Sequence, residues 1–233
     1  MKVCLINIGN TFTEICDGSF NDYTKLPTST LCQESVKILK SYTTCYTASV
    51  VPAVIDSLRS LNPDKTFYVL SAEKVKMVDF SKSDSTTIGA DRLANLFAAR
   101  KLFGPDVLIL DCGTCVTAEL LVQGVFHGGF IMPGRKIQRN ALSQFTGQLP
   151  AVDLSRDQQL LGSNTVDSIK VGIDTMSSLA LAGWVEKVLQ LHPGVEVCFT
   201  GGDREFFSNQ ASFEFSISEN LTLQGLKLFS EAR

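Results

Sequence analysis

Two short stretches place residues in a pattern that could hold phosphate: LINIGNTFT at 5–13 and LILDCGTCVT at 108–117. Aligned without gaps on their glycines, Val3 falls on Val107, Gly9 on Gly113 and Thr13 on Thr117, while Asn7 falls opposite Asp111. Each reads as a buried strand, a glycine turn and a following threonine (Thr11; Thr114). Consecutive backbone N–H groups in such a turn form an anion-binding concavity, and a threonine hydroxyl adds a donor. Asp111, an acid at the strand end, is placed to hold a cation beside those phosphates. An ordinary β-turn accounts for either stretch alone; the pairing argues for a shared task.

A third stretch, GADR at 89–92, opens a helix. The helix dipole favours Asp91 in a first turn without any function, but it disfavours the cation Arg92 there. Chemistry employs both: Asp91 accepts a proton from a hydroxyl, and Arg92 grips an anionic group through its planar fork. GGFIMPGRKIQRNAL at 128–142 and FTGGD at 199–203 put paired glycines beside strands, which suits either close approach to a ligand or simple turn chemistry. Cys112 and Cys115 spell C-x-x-C, yet no second such pair and no histidine pair completes a zinc set. His127 and His192 have no serine or cysteine partner at a telling spacing.

The elements that must position these residues alternate between strand and helix. Strands are expected at 2–8, 11–16, 45–50 and 66–70, with a helix at 51–61. A polar loop, SKSDSTT at 81–87, precedes a helix whose Leu93, Leu96, Phe97 and Leu102 share a face and which Gly104–Pro105 ends. The second half restarts with VLILD, strands at 116–122 and 125–131, and a basic helix. A long helix follows, with Val166, Ile169, Ile173, Met176, Ala180, Trp184 and Val188 forming one apolar stripe, as a core or subunit interface requires. Then come VEVCFTGGD, a strand near 213–217 and a closing helix from 221 to 232. The repeated order predicts a duplicated α/β lobe, 1–105 and 106–233.

The 233 residues suit two lobes of about 100 residues each. A net charge of −3 without a basic stripe disfavours nucleic acid and anionic membrane as partners. No run of about 18 apolar residues occurs, so the expectation is a cytoplasmic protein with reduced, buried cysteines.

Taken in order, the motifs resemble the type III pantothenate kinases, of the acetate and sugar kinase/Hsc70/actin superfamily. The family's Asp-x-Gly-Asn-Thr stands here as NIGNT at 7–11, and its Gly-x-Asp-Arg as GADR, followed by Asn95. Asp-x-Gly-Thr-x-x-Thr is DCGTCVT at 111–117, and Gly-Gly-x-Ile-x-Pro-Gly is GGFIMPG at 128–134. Asn164–Thr165, Gly201–Asp203 and LTLQGL at 221–226 complete the match. The resemblance implies two ribonuclease-H-like (actin-like ATPase) lobes with a ligand cleft between them, and ATP-dependent phosphorylation of pantothenate, the first step towards coenzyme A. It implies Asp91 as general base, and Gly89, Ala90, Asp91, Arg92 and Thr165 as pantothenate contacts. Asn7, Ile8, Gly9, Asn10, Thr11, Phe12, Thr13, Glu14 and Thr114 would meet ATP with its Mg2+. Asp111 would hold a monovalent cation, K+ or NH4+, and the long helix would join two copies in a homodimer.

Two departures stand out. Asn7 replaces the acid of the first motif and brings no negative charge, and Lys82 stands near a family tyrosine before GADR. The first raises an alternative: a weak or inactive homologue that binds ligand as a regulator or accessory protein. The second admits a kinase for another small alcohol.

Overall fold

A strand buried on both faces reads as a near-continuous apolar run, and β1 (Val3–Ile8), interrupted by the half-buried Asn7, is such a strand, with Cys4, Leu5, Ile6 and Ile8 fully buried. It lies at the centre of the first sheet in the computed structural model, which describes residues 2–154 and 160–232. β2 (Phe12–Asp17) returns antiparallel to β1, and β3 (Tyr23–Pro27) extends the hairpin to the sheet edge. α1 (Leu31–Ile38) leads to β4 (Thr44–Ser49), parallel to β1. α2 (Pro52–Leu61), with proline at its first position where no N–H is needed, leads to β5 (Thr66–Val69), parallel to β4. α3 (Ala90–Leu102) follows; Arg100 and Lys101 complement its C-terminal dipole, and Gly104 (φ +100°) lets the chain turn away.

The second sheet repeats this plan. β6 (Val107–Cys112) is its central strand, β7 (Cys115–Val122) pairs antiparallel to it, and β8 (Val125–Pro133) lies beyond. α4 (Arg135–Phe145), α5 (Thr165–Lys170) and α6 (Met176–Leu191) precede β9 (Glu196–Thr200), parallel to β6. After α7 (Arg204–Ser208), the short β10 (Ser216–Ile217) pairs parallel to β9, and α8 (Leu221–Glu231) closes the described chain. The strand orders are β3-β2-β1-β4-β5 and β8-β7-β6-β9-β10, one topology twice. This is the duplicated α/β architecture that the sequence predicts.

Each unit has its own core. In the first, Ile6, Ile8 and Ile15 meet Leu31, Leu39 and Leu58 from the helices on one sheet face. In the second, Leu108, Leu110 and Phe199 meet Leu181, Val185 and Val188.

The structure departs from the expectations in four places. The compact units are Met1–Pro105 with Gln123–His127 and Asn220–Arg233, and Asp106–Val122 with Gly128–Glu219. α8, expected in the second lobe, therefore belongs to the first, where Phe229 sits edge-on to Tyr46 at 5.3 Å and Gly225 abuts the Ala94 backbone. The long helix is interrupted by a π turn, Val171–Thr175. The extra residue of a π turn shifts the helix phase, so Ile169 and Ile173 are continued by Leu181 and Val185, leaving Met176 and Ala180 exposed. Leu102, expected on the buried stripe of α3, is 54% exposed in its last turn. The strand near 213–217 shrinks to two residues.

Candidate active site

In the first unit, the turn after β1 is closed by Gly9 N–H donating to the Phe12 carbonyl at 3.0 Å. Thr28 braces it from below: its hydroxyl donates to the Gly9 carbonyl at 2.7 Å, its N–H to the Thr11 carbonyl at 3.0 Å, and its hydroxyl meets that of Thr13 at 3.1 Å. Asn10, Thr11 and Phe12 form the rim of the turn; Phe12 is 45% exposed and Lys25 stands 5.4 Å over its ring. Ile8 and Thr13 point inward and are fully buried.

Asn7 sits one residue before the strand end, opposite Glu14. Its Nδ2 donates to Glu14 Oε2 at 3.3 Å, and its Oδ1 is buried with no hydrogen-bond partner. Glu14 Oε1 in turn accepts from the Tyr23 hydroxyl at 2.9 Å and Lys25 Nζ at 3.0 Å. Asn7, Glu14 and Lys25 thus form one transverse row on adjacent strands.

The GADR segment comes close to this hairpin. Val50 N–H donates to the Ile8 carbonyl at 3.1 Å, and a Cβ on Gly89 would lie 3.5 Å from the Val50 side chain. That Cβ would also lie 2.6 Å from Asp91 Oδ1, so the carboxylate folds back into the space glycine leaves open. Asp91 Oδ1 accepts the Arg92 N–H at 2.8 Å. Burial raises its pKa above the ordinary 3.8, against the opposing pull of that hydrogen bond and the Arg92 charge. Ala90 and Arg92, both partly buried, occupy the same first turn of α3. Asn95 has a structural task instead: it is fully buried and accepts the Thr222 hydroxyl at 2.8 Å, tying α3 to α8.

In the second unit, three glycine motifs converge on the turn after β6. Gly113 N–H donates to the Cys115 carbonyl at 2.9 Å. Gly134 N–H donates to the Thr114 carbonyl at 3.0 Å, and a Cβ on Gly134 would strike that carbonyl at 2.4 Å. Gly201, at φ +88°, leaves the space where its Cβ would meet Asp111 Oδ1 at 2.5 Å and the Cys112 carbonyl at 2.6 Å. Asp111 thus lies against the GGD junction, whose Asp203 N–H donates to the Cys112 carbonyl at 2.7 Å. Across the hairpin Asp111 faces Thr117, whose hydroxyl is buried with no partner.

Sequence reading missed the support beneath these motifs. Arg135 Nε donates to Asp174 Oδ1 at 2.8 Å, its Nη1 lies 3.6 Å from Asp203 Oδ1, and its guanidinium stacks 3.5 Å from the centre of the Phe206 ring. Arg139 also donates to Asp174, and all three of Arg135, Arg139 and Asp174 are buried. The basic helix α4 therefore spends two of its arginines on one buried carboxylate. Asp174 lies in the π turn, whose position gave no signal in sequence periodicity.

Thr165 lies on a different element, α5. It is exposed at the start of α5, whose Asn164 side chain caps the helix by accepting the Asp167 N–H at 2.9 Å. It borders an apolar groove of about 750 Å³ with Pro133, Ile137, Leu142, Ile169 and Ile173. All seven cysteines are free, those of the C-x-x-C pair included, Cys112 is buried, and no cluster of metal-ligating side chains occurs among the described residues. Nor is any helix among them long and apolar enough to cross a membrane.

A family model described as type III pantothenate kinase matches residues 4–188. A type III pantothenate kinase of Petrotoga mobilis is 28% identical, covering 97% of each chain. One from Ruegeria sp. is 32% identical over 79% of this chain and 73% of its own, and one from Kosmotoga olearia is 37% identical over 62% and 56%. Among solved structures, a protein described as a Baf family transcriptional activator from Campylobacter jejuni superposes with a TM-score of 0.68 at 19% identity, covering 98% of this chain and 97% of that one. An inorganic polyphosphate/ATP-glucomannokinase from Arthrobacter superposes at 0.51 with 11% identity over 100% and 99%. At such identities the superpositions speak for the fold alone.

Proposed function

Because the chain belongs to the type III pantothenate kinase family, we propose that it transfers the γ-phosphoryl group of ATP to the primary hydroxyl of pantothenate. The observation that carries this reading is Asp91: a carboxylate on the first turn of α3, folded against Gly89, with its proton affinity raised by burial. A primary alcohol is a poor nucleophile, and a carboxylate that takes its proton as the new bond forms supplies what positioning alone does not. Phosphoryl transfer otherwise depends on alignment and charge neutralisation.

The remaining roles divide between the units. Gly89, Ala90 and Arg92 bind pantothenate, with Arg92 meeting its carboxylate, and Thr165 supplies a further contact. The turn from Asn7 to Glu14 and the Thr114 hydroxyl hold the nucleotide phosphates through N–H and O–H donors. Magnesium bound to ATP would neutralise phosphate charge, and the partnerless oxygens of Asn7 and Thr117 are hard donors of the kind such cations accept. Asp111 holds a monovalent cation, K+ or NH4+. The protein works in the cytoplasm, as a homodimer joined through the second unit. The apolar groove beside Thr165 and the exposed Phe145, Val166 and Met176 support that assembly.

A coupled assay for ADP release, with Mg2+ and K+ and with or without pantothenate, tests the reading. Pantothenate-dependent ADP is expected; its absence with Mg2+, Mn2+, K+ and NH4+ all tried refutes the kinase. Asn7 favours one second reading, a ligand-binding regulator without turnover. Nucleotide or pantothenate binding in the absence of any ADP formation selects it. Sedimentation of the wild type and Ile137→Glu tests the dimer, with dissociation expected for the variant.

A further inference from the structure

We propose that Glu14, bridged by Asn7, supplies the negative charge that the family motif places at position 7; the assignment rests on the kinase reading above. A gapless comparison of the two hairpins sets Glu14 on Ala118, a neutral residue. The structure sets it elsewhere. Ile8 pairs with Thr13, leaving residues 9–12 in the first turn, whereas Cys112 pairs with Val116, leaving only 113–115 in the second. A one-residue change of register moves a side chain to the other face of a sheet. The longer first turn therefore brings Glu14 opposite Asn7, in the place that Thr117 holds opposite Asp111.

The two hairpins then carry the same parts in exchanged positions. Each row has one carboxylate and one neutral oxygen that is buried without a partner: Glu14 with Asn7 Oδ1, Asp111 with Thr117 Oγ1. The orientation of Asn7 follows from chemistry. A carboxylate only accepts, so the amide must turn Nδ2 to Glu14 and leave Oδ1 on its far side. The Tyr23 hydroxyl and Lys25 ammonium fix the other carboxylate oxygen. Lys25 neutralises Glu14 when no other cation does, and its side chain is 45% exposed on a flexible stem, free to yield to a hydrated magnesium ion. Glu14 supplies charge and Asn7 supplies a neutral oxygen, dividing between two residues what one aspartate does in the family motif. A plain surface ion pair between Glu14 and Lys25 explains neither the Asn7 contact nor its orphaned oxygen.

The test is metal affinity rather than turnover. Mn2+ binding to the complex with a non-hydrolysable ATP analogue is measured by water-proton relaxation for wild type, Glu14→Gln, Asn7→Asp with Glu14→Gln, and Lys25→Met. Glu14→Gln should weaken Mn2+ binding by about tenfold or more, the added Asn7→Asp should recover it, and Lys25→Met should leave it intact or tighten it. Metal affinity within twofold of wild type in Glu14→Gln, or no recovery in the double variant, overturns the assignment. Binding of the analogue with Mg2+ present separates the two claims. If the wild type binds no nucleotide, the kinase reading falls and this assignment with it; if it binds nucleotide but its metal affinity ignores residue 14, this assignment falls alone.

Discussion

Gly89→Ala should remove activity while leaving the fold standing. The backbone at Gly89 (φ −57°, ψ 144°) suits alanine, so no strain opposes the change. The new methyl would lie 2.6 Å from Asp91 Oδ1, whereas ordinary contact begins at 3.4 Å, so the carboxylate must withdraw by about 0.8 Å. Withdrawal breaks its hydrogen bond from Arg92 N–H, worth about 1.5–3 kcal/mol for a charged acceptor. The stiffer unfolded chain returns roughly 0.4–1 kcal/mol. The net cost of about 1–2 kcal/mol lowers Tm by only about 2–8 °C for a chain of this size. A misplacement near 1 Å at the proton acceptor costs on the order of 10²-fold in kcat. The coupled ADP assay should show that loss with the ATP KM little changed, and adding Asp91→Asn should cost little more, because both changes disable one group. Gly225→Ala supplies the contrast: its methyl would meet the Ala94 backbone carbonyl at 2.1 Å, which cannot rotate aside, so stability fails there first. Wild-type kcat in Gly89→Ala, or multiplicative losses in the double variant, would refute the placement of Asp91 at the reacting hydroxyl.

Asp91 also sets a pH dependence. Its raised pKa means the folded state binds that proton more tightly than the unfolded one, so its contribution to stability is fully present below pH 3.8 and lost as pH rises through the folded-state value. Asp91→Asn should therefore melt higher than wild type at neutral pH, with the gain vanishing at acid pH; equal melting at pH 7 contradicts the burial cost. Asp174→Ala should cost about 3–5 kcal/mol in urea denaturation because it takes a buried carboxylate from Arg135 and leaves the buried Arg139 without its ion-pair partner; a loss below 1 kcal/mol would show the cluster to be solvated. Ellman's reagent should find seven thiols in denaturant but at most Cys32 and Cys115 reacting fast in the native protein. Burial withdraws the others, pushing Cys16 and Cys198 up to about 12. Five or more fast native thiols would contradict that burial.

The parts legible in sequence are those with short periods. Two apolar runs ending in glycine turns announced the central strands, and GADR before an apolar stripe announced α3 with Asp91 in its first turn. What sequence hid depends on register. The gapless echo of the hairpins conceals a turn one residue longer, and with it the pairing of Asn7 with Glu14, which Tyr23 and Lys25 hold from the other side. The stripe of the long helix loses its phase at the π turn because periodicity assumes one constant pitch. Asn95, read with the substrate motif, is spent on Thr222, far along the chain.

That last contact bears on how the protein is made. α8 covers the first unit with Leu221, Leu223 and Leu226, all fully buried, yet it is translated after the whole of the second unit. While the ribosome is still working through residues 106–219, the face of the first sheet bearing Leu5 and Tyr46 must wait without its helix. The domain begun first is finished last, and the exposed sheet in the interval is the natural client of a chaperone.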